Sequence, residues 1–274
     1  MLKRPIPSTG EELPVVGLGT WIQFDVGPSA TEREPLRKVL RLMAKKGGRV
    51  IDSSPMYGNA EEVIGDLTTD LDNPDHFFYA TKVWTRGREA GIRQMNASLH
   101  KMKRETMDLM QIHNLLDWET HLQTLKEWKN ERKIRYIGVT HHTVPSHRRL
   151  EKIIKTKDID FVQFNYSIRT RNAEKHLLDA ARDHGVAVLI NEPYEGGSLF
   201  QAVGSKELPD WASDYDISSW GQFFLKYILS HPAVTCVIPG TSDPGHLVDN
   251  MQAGYGRMPD EAARKKMVSY FEEM

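Results

Sequence analysis

The chain has 274 residues, of which 39% are apolar and 27% are charged, and its formal net charge is −1. A chain of this length and apolar content can bury a large core, and an α/β barrel typically needs about 250 residues. The near balance of charge gives no electrostatic reason to expect nucleic acid or an anionic membrane surface as a partner.

Short runs of β-branched residues alternate with longer amphipathic runs along the chain. These runs predict eight strands, at 15–19, 50–52, 77–82, 107–113, 134–139, 161–165, 187–190 and 234–238. Because a helical crossover returns the chain to the same end of the sheet, the strands should pair in parallel. Eight such units favour a closed (β/α)8 TIM barrel, an α/β fold, and no break in composition divides residues 1–274 into separate domains.

Several local signals mark where helices and loops should begin. Thr31 with Glu34, and Ser219 with Gln222, have the spacing of capping boxes at helix starts. Residues 5–13 precede the first strand and predict a short hairpin outside the repeat. The long connection 200–218 follows the seventh strand, and it is either a functional loop or a solvated insertion.

The expected compartment follows from cysteine usage and from the first residues. Cys236 is the only cysteine, so no internal disulfide can form and the chain fits a reducing compartment. There is no run of 18 apolar residues, and residues 1–7 lack the apolar core of a signal peptide. We therefore expect a cytoplasmic protein with no membrane partner, although a signal removed before residue 1 would leave no trace.

Polar residues at the carboxyl ends of the predicted strands are the candidates for chemistry, because barrel active sites lie at that face. Asp52, Lys82 and His113 end the second, third and fourth strands, and Tyr57 follows Asp52 closely. Taken singly, these residues also fit a turn former, a solvated lysine, and a structural histidine. Their joint placement on consecutive strands favours a shared catalytic site.

These four residue types suit proton donation to an oxygen atom. A free tyrosine is a poor acid at neutral pH, with a pKa of about 10, and a nearby ammonium group lowers that pKa. A carboxylate beside the lysine keeps the ammonium charged and oriented. A histidine near the phenol can bind a carbonyl oxygen or relay a proton. The set predicts protonation of an oxygen while a hydride is added to its carbon.

Six motifs resemble those of the aldo-keto reductase family, of the bacterial type with a short C-terminus. They are VGLGTW at 16–21, IDSSPMYG at 51–58 with EEVIG at 61–65, ATKV at 80–83, MDLMQIHN at 107–114, KIRYIGV at 133–139 and VIPGT at 237–241. The resemblance implies an NADP-dependent oxidoreductase that reduces a carbonyl group. In it Tyr57 would be the acid, Lys82 paired with Asp52 would lower its pKa, and His113 would orient the carbonyl.

The resemblance also implies the cofactor contacts. They are Thr20, Trp21, Thr140, Gln163, Tyr194, Gly197, Ser198, Leu199, Gly240, Thr241, Ser242, His246 and Asn250. Backbone N–H groups of residues 197–199 would reach phosphate, and the N-terminus of the helix at Pro244 also attracts phosphate. NADPH is the expected cofactor, with NADH as the alternative.

This sequence departs from the family pattern at several of these positions. Thr140 and His141 replace a Ser-Asn pair that holds the nicotinamide amide. Asn191 stands where an aromatic residue usually stacks on the nicotinamide, so Tyr194 would have to take that role. Gly240 and His246 stand where many members place Lys and Arg against the 2′-phosphate, and Asp243 is unfavourable there.

The substrate pocket and the possibility of a metal are less well specified. Trp21, Trp84 and Trp118 each follow a strand end, which predicts an apolar carbonyl pocket or, alternatively, packing under loops. The adjacent His141 and His142 should point to opposite sides of an extended segment, and no Cys or carboxylate cluster joins them. We therefore expect no metal.

Other function classes fit less well. Gly17 and Gly19 follow a strand, but the third glycine of a dinucleotide-binding fingerprint would fall at Ile22. No Gly-x-Ser-x-Gly segment of a serine hydrolase is present. The remaining alternatives are another barrel enzyme, such as an isomerase or lyase, and a nicotinamide-binding regulatory or sensor module with little turnover. The expected partner is a small carbonyl substrate, and the expected state is a monomer or weak oligomer.

Overall fold

A computed structural model describes residues 1–71, 73–156 and 158–274. The strands, in chain order, are β1 Lys3–Pro5, β2 Glu12–Pro14, β3 Leu18–Gly19, β4 Val50–Asp52, β5 Phe78–Val83, β6 Met107–His113, β7 Ile134–His141, β8 Phe161–Asn165, β9 Ala187–Asn191 and β10 Cys236–Val237. The helices are α1 Ala30–Lys45, α2 Ala60–Thr69, α3 Arg88–Lys101, α4 Trp118–Asn130, α5 His147–Thr156, α6 Leu177–Asp183, α7 Ser198–Val203, α8 Trp220–Leu229, α9 Pro244–Gln252 and α10 Glu261–Glu272.

Strands β3 to β10 form one parallel sheet in sequential order. Bridges from Val16 to Val237 and from Gly19 to Gly240 join the first strand to the last. The sheet therefore closes on itself, which confirms the predicted (β/α)8 barrel. The first and last barrel strands are shorter than predicted, because residues near them pair only through these isolated bridges.

The barrel has two apolar layers. The outer layer lies between the strands and the surrounding helices, and it includes stripes such as Leu36, Val39, Leu40 and Met43 of α1. The inner cluster fills the lower barrel with alternate strand residues, including Phe78, Leu109, Tyr136 and Phe161. A filled interior is what a barrel of eight strands requires, since its lumen is only wide enough for side chains.

The predicted hairpin forms the floor of the barrel. Strands β1 and β2 pair antiparallel, and Ile6 and Leu13 from this hairpin belong to the inner apolar cluster. The guanidinium group of Arg4 donates to backbone carbonyls of Leu229, His231 and Val234. The floor is thereby tied to the segment that leads into β10.

The helix-start predictions have different outcomes. Ser219 caps α8 as expected, since its Oγ accepts from the backbone N–H of Gln222 at 3.0 Å. The prediction of a capping box at Thr31 was wrong. Helix α1 begins at Ala30, so Thr31 already lies inside the helix, and the residue before the helix, Ser29, makes no side-chain cap. Among the described residues, no helix has the length and apolarity to cross a bilayer.

The long connection after β9 is neither fully solvated nor directed only at the barrel mouth. It contains α7 and a short helical turn over Asp210–Tyr215. Trp211 in this turn packs against Phe223 of α8 and Tyr270 of α10, with ring centroids about 6 Å apart. The connection therefore contributes to the outer helical layer.

Candidate active site

Period-two alternation divides each barrel strand into an apolar lower part and a polar upper part. In β5 the inward residues run Phe78, Ala80 and Lys82, and in β6 they run Leu109, Gln111 and His113. The same pattern places polar residues at the upper ends of the other strands, including Asp52, Thr140 and Gln163. The strand register therefore collects polar side chains into one layer at the mouth.

The centre of this layer is a buried ion pair between Lys82 and Asp52. Lys82 Nζ lies 2.6 Å from Asp52 Oδ2 and donates to the backbone oxygen of Ser53 at 2.7 Å. Lys82 is wholly buried and Asp52 is 3% exposed. Burial opposes the charge on Lys82, but Asp52 and Tyr57 outweigh that effect and raise the pKa of the ammonium group. Lys82 therefore remains cationic.

Tyr57 lies against this pair on the solvent side. Lys82 Nζ is 5.0 Å from the centroid of the Tyr57 ring, and the ring is partly buried. Burial raises the pKa of Tyr57, while the charge of Lys82 opposes that rise. The expectation that Lys82 would produce a net lowering of this pKa does not hold here, because desolvation of the phenolate is the larger effect. The phenol is therefore protonated at neutral pH.

His113 lies on the other side of Tyr57, with ring centroids 5.9 Å apart. Burial, together with the charge of Lys82, lowers the pKa of His113 from 6.5 to about 2, so the imidazole is neutral. Ser54 Oγ lies 2.9 Å from His113 Nδ1 and accepts from the backbone N–H of Met56 at 3.4 Å. This contact holds Nδ1 of His113 on the Ser54 side, so Nε2 is the ring nitrogen left for a ligand at the mouth.

A chain of amide side chains supports Asp52 from the opposite side. Gln111 Nε2 and Gln163 Nε2 each donate to Asp52 Oδ1 at 2.9 Å. Gln163 Oε1 in turn accepts from Thr140 Oγ1 at 3.2 Å and from Asn191 Nδ2 at 3.3 Å. The predicted contacts Thr140 and Gln163 thus belong to the same network as the ion pair.

Gly138 makes room for this network. A Cβ atom at Gly138 would lie 2.8 Å from Cγ of Gln111, a distance that real Cβ atoms do not tolerate. The absence of a side chain on β7 therefore allows Gln111 to reach Asp52 from β6.

The indoles are placed unequally around the mouth. Trp21 is 58% exposed and Trp84 is 40% exposed, and the Trp84 ring lies 6.4 Å from the His113 ring. Trp118 is partly buried and packs against the outer core at the start of α4. Exposed Ile22 and Met56 extend the apolar rim, and the strand-end pattern did not single them out.

The backbone N–H groups of residues 197–199, after β9, are already hydrogen-bonded. The N–H groups of Gly197 and Leu199 both donate to the carbonyl of Tyr194, and that of Ser198 donates to Glu195. The helical turn uses these donors internally, so the expected phosphate cradle of backbone N–H groups is not formed.

Side chains remain the available donors beside this turn. Arg169 donates to Ser198 Oγ at 3.0 Å and pairs with Glu195. Arg169 was missed because it lies in a loop after β8, where strand periodicity gives no signal. Tyr194 is also unavailable as a stacking residue: its hydroxyl donates to Asn250 Oδ1 at 2.6 Å, and its ring packs on Phe200.

The block after β10 forms a tight helix start. Thr241 Oγ1 accepts from the N–H of Asp243 at 3.0 Å, and Ser242 Oγ donates to Gln23 at 3.0 Å. Asp243 caps α9, since its Oδ1 accepts from the N–H of His246 at 2.8 Å. A carboxylate therefore occupies the helix N-terminus where a phosphate was expected. Two other predicted cofactor contacts lie close to this block or to the ion pair. Gly240 forms a β-bridge with Gly19, and Thr20 donates to the backbone oxygen of Asp52.

The expectation that His141 and His142 point to opposite sides of an extended segment was wrong. The rings of His141 and His142 stack with centroids 5.4 Å apart, rather than pointing to opposite sides. Strand β7 ends at His141, so the alternation of extended backbone does not reach His142. Among the described residues, no group of three or more His, Cys, Asp or Glu side chains could hold a metal ion.

Comparisons with known proteins agree on one family. The model of the Aldo/keto reductase family matches residues 15–265. The chain is 26% identical over 258 residues to the methylglyoxal reductase YeaE of Escherichia coli, covering 91% of this chain and 89% of that protein. It is 28% identical over 243 residues to an NADH-specific methylglyoxal reductase of the same species, covering 77% and 73%.

A solved structure has the same fold over nearly the full length of both chains. The chain superimposes with a TM-score of 0.81 on the thermostable aldo-keto reductase Tm1743, which was solved with the inhibitor epalrestat. The identity is 27%, and the match covers 98% of this chain and 99% of that one.

Proposed function

This chain belongs to the aldo/keto reductase family, and on that premise we propose that it reduces an aldehyde or ketone to an alcohol with a proton from Tyr57. The observation that carries the proposal is the position of the Tyr57 phenol between a buried cation and a neutral imidazole. Carbonyl reduction is the general activity of the family. The assignment of roles to Asp52, Tyr57, Lys82 and His113 is the specific part of the proposal.

Tyr57 would act as the general acid. Its raised pKa keeps the phenol protonated before the reaction, which is the state that an acid must start from. As the carbonyl carbon receives a hydride, its oxygen takes the phenolic proton and becomes the alcohol. The phenolate that remains is stabilised by the ammonium group of Lys82, and Asp52 fixes that group in place.

His113 would hold the carbonyl oxygen. In the tautomer in which Nδ1 accepts from Ser54, the hydrogen lies on Nε2 and the neutral ring donates it to that oxygen. Its low pKa makes it a poor source of the transferred proton near pH 7. Trp21, Trp84 and Trp118 would line the apolar side of the substrate pocket.

A bound nicotinamide supplies the hydride for such a reaction. The polar side chains at the mouth fit its carboxamide group, because Asn191 Oδ1 is a buried acceptor with no hydrogen-bond partner among the described residues. Thr140 and Gln163 lie beside it. At the other end of the cofactor, Asn250, Ser198, Thr241, Ser242 and His246 would contact the ribose, phosphates or adenine.

NADPH is the cofactor that we propose, with NADH as the alternative. One relative, 28% identical, is an NADH-specific methylglyoxal reductase, and this keeps NADH as the alternative. Because relatives are named as methylglyoxal and glyoxal reductases, small 2-oxoaldehydes are the first substrates to test.

The test is a parallel titration of the purified protein with NADPH and NADH, followed by turnover with methylglyoxal and with an aromatic aldehyde. Saturable binding of one cofactor together with its consumption supports the reductase. Binding without consumption of cofactor across the carbonyl panel would instead indicate a regulatory or sensor protein. Binding of neither cofactor by folded protein would contradict the proposal.

A further inference from the structure

The hydrogen bonds around Asp52 run in one direction. An ionised carboxylate only accepts hydrogen bonds, so each amide that meets Asp52 must present its nitrogen. Gln163 does so, with Nε2 on Asp52 Oδ1 at 2.9 Å and on Gln111 Oε1 at 3.2 Å. The oxygen of Gln163 must therefore face the other way, toward donors.

Two donors meet that oxygen from the strands on either side of β8. Thr140 on β7 and Asn191 on β9 both donate to Gln163 Oε1. With two donated and two accepted hydrogen bonds, Gln163 has used its full capacity. It has no group left for a ligand, and its role is to orient its neighbours.

The direction of this series of hydrogen bonds also fixes the orientation of the Asn191 amide. Because Asn191 must give its nitrogen to Gln163, its oxygen lies on the side away from the network. That oxygen, Oδ1, is buried and has no partner among the residues that the structure describes. An unpaired buried acceptor is unfavourable, so the site gains stability when a donor reaches it.

We propose that Asn191 binds the carboxamide group of the nicotinamide, accepting a hydrogen bond on Oδ1 from the carboxamide NH2. The inference rests on the proposed function, since it presumes a nicotinamide at the mouth. Asn191 ends β9 at the mouth of the barrel with a partly exposed side chain, so its amide borders the space that a ligand would occupy there. Asn191 also keeps one N–H of Nδ2 free among the described contacts, which matches the carboxamide oxygen.

The test uses a cofactor analogue in which a methyl ketone replaces the carboxamide, namely the acetylpyridine analogue of whichever cofactor binds. This change removes the NH2 donors and retains the carbonyl oxygen. By calorimetric titration, wild type should bind the parent cofactor about 3- to 10-fold more tightly than the analogue, the effect of one hydrogen bond. Asn191→Leu, which is similar in volume, should bind both equally, and so should Asn191→Ala.

Asn165→Ala is the matched control, because Asn165 pairs in register with Asn191 at the end of the neighbouring strand. Its oxygen is already bonded to His147 at 3.0 Å, so the parent-to-analogue ratio should stay as in wild type. An unchanged ratio in Asn191→Leu, or no preference in wild type, would overturn the inference while cofactor binding still supports the reductase. Failure of wild type to bind any cofactor would overturn both.

Discussion

Lys82 and Asp52 form an ion pair, 2.6 Å from Nζ to Oδ2, inside the upper layer of a closed barrel. Each charge has further partners: Lys82 bonds the backbone of Ser53, and Asp52 accepts from two glutamine amides. The pair is therefore both the electrostatic neighbour of Tyr57 and a buried structural element. Removing one member leaves the other charge without compensation.

We expect Lys82→Met to lower the free energy of unfolding by about 3–5 kcal/mol, because it strands a buried carboxylate. Urea denaturation measures the change, and the double variant Lys82→Met with Asp52→Asn should recover part of it. Lys126→Met is the surface control: its pair with Asp158 is exposed and should contribute less than about 1 kcal/mol. Equal losses at the two lysines would contradict a buried, uncompensated charge.

Replacement of the proposed acid should separate catalysis from binding. Tyr57→Phe should reduce carbonyl turnover about 10²- to 10⁴-fold while the cofactor dissociation constant stays near that of wild type. Tyr255→Phe removes a hydroxyl that donates to the backbone oxygen of Lys46, outside the proposed site, so it should leave turnover unchanged. Wild-type turnover in Tyr57→Phe would remove Tyr57 from the mechanism.

The low pKa of His113 predicts a pH-dependent stability. Between about 2 and 6.5 the unfolded chain binds a proton on this residue that the folded chain does not. Stability is therefore complete above 6.5 and falls as the pH is lowered, by about 1.4 kcal/mol per unit. Between pH 6.5 and 5, wild type should lose about 2 kcal/mol more than His113→Gln.

Urea denaturation of both proteins at the two pH values checks this prediction. Burial also lowers the pKa values of His141, His147 and His231, but these residues are common to both proteins and cancel in the comparison. Parallel losses in wild type and variant would show that His113 is protonated equally in the folded and unfolded states.

Asp243 should control the choice between the two cofactors. Its carboxylate caps α9 and would repel a 2′-phosphate. Asp243→Ser keeps a capping oxygen and removes the charge, so it should improve NADPH binding relative to NADH by about 3- to 10-fold. Adding Gly240→Lys and His246→Arg should increase the ratio further.

Asp260→Ser provides the control for net charge. Asp260 caps α10 in the same way, with Oδ1 accepting from Ala263 at 2.9 Å. The NADPH-to-NADH ratio from fluorescence titration should not change in this variant. If both serine variants shift the ratio alike, the effect comes from overall charge and not from the α9 terminus.

Much of the fold and the central site could be predicted from sequence, because both depend on local periodicity. Alternation within β5 and β6 gives the inward direction of Lys82 and His113, and parallel pairing brings their ends to one mouth. Strands β6 and β8 have the predicted limits. By contrast, the Thr31 capping box depended on a two-residue choice of helix start that the apolar stripe does not fix.

The remainder depends on contacts between distant residues. The net direction of the Tyr57 pKa depends on how deeply the phenol is buried, which no spacing reveals. Tyr194 lies in a helical-layer cluster because Phe224 and Asn250, far along the chain, offer it partners. The orientation of Asn191 follows from a series of hydrogen bonds that begins at Asp52, and that series requires the strand register.

The hairpin floor constrains how the protein can be made. Arg4 bonds carbonyls more than 220 residues later in the chain, and the N–H of Leu2 donates to the carbonyl of Gly254. During synthesis the hairpin leaves the ribosome long before these partners do. Its apolar residues must therefore wait until β10 has been made, and barrel closure becomes a late event in folding.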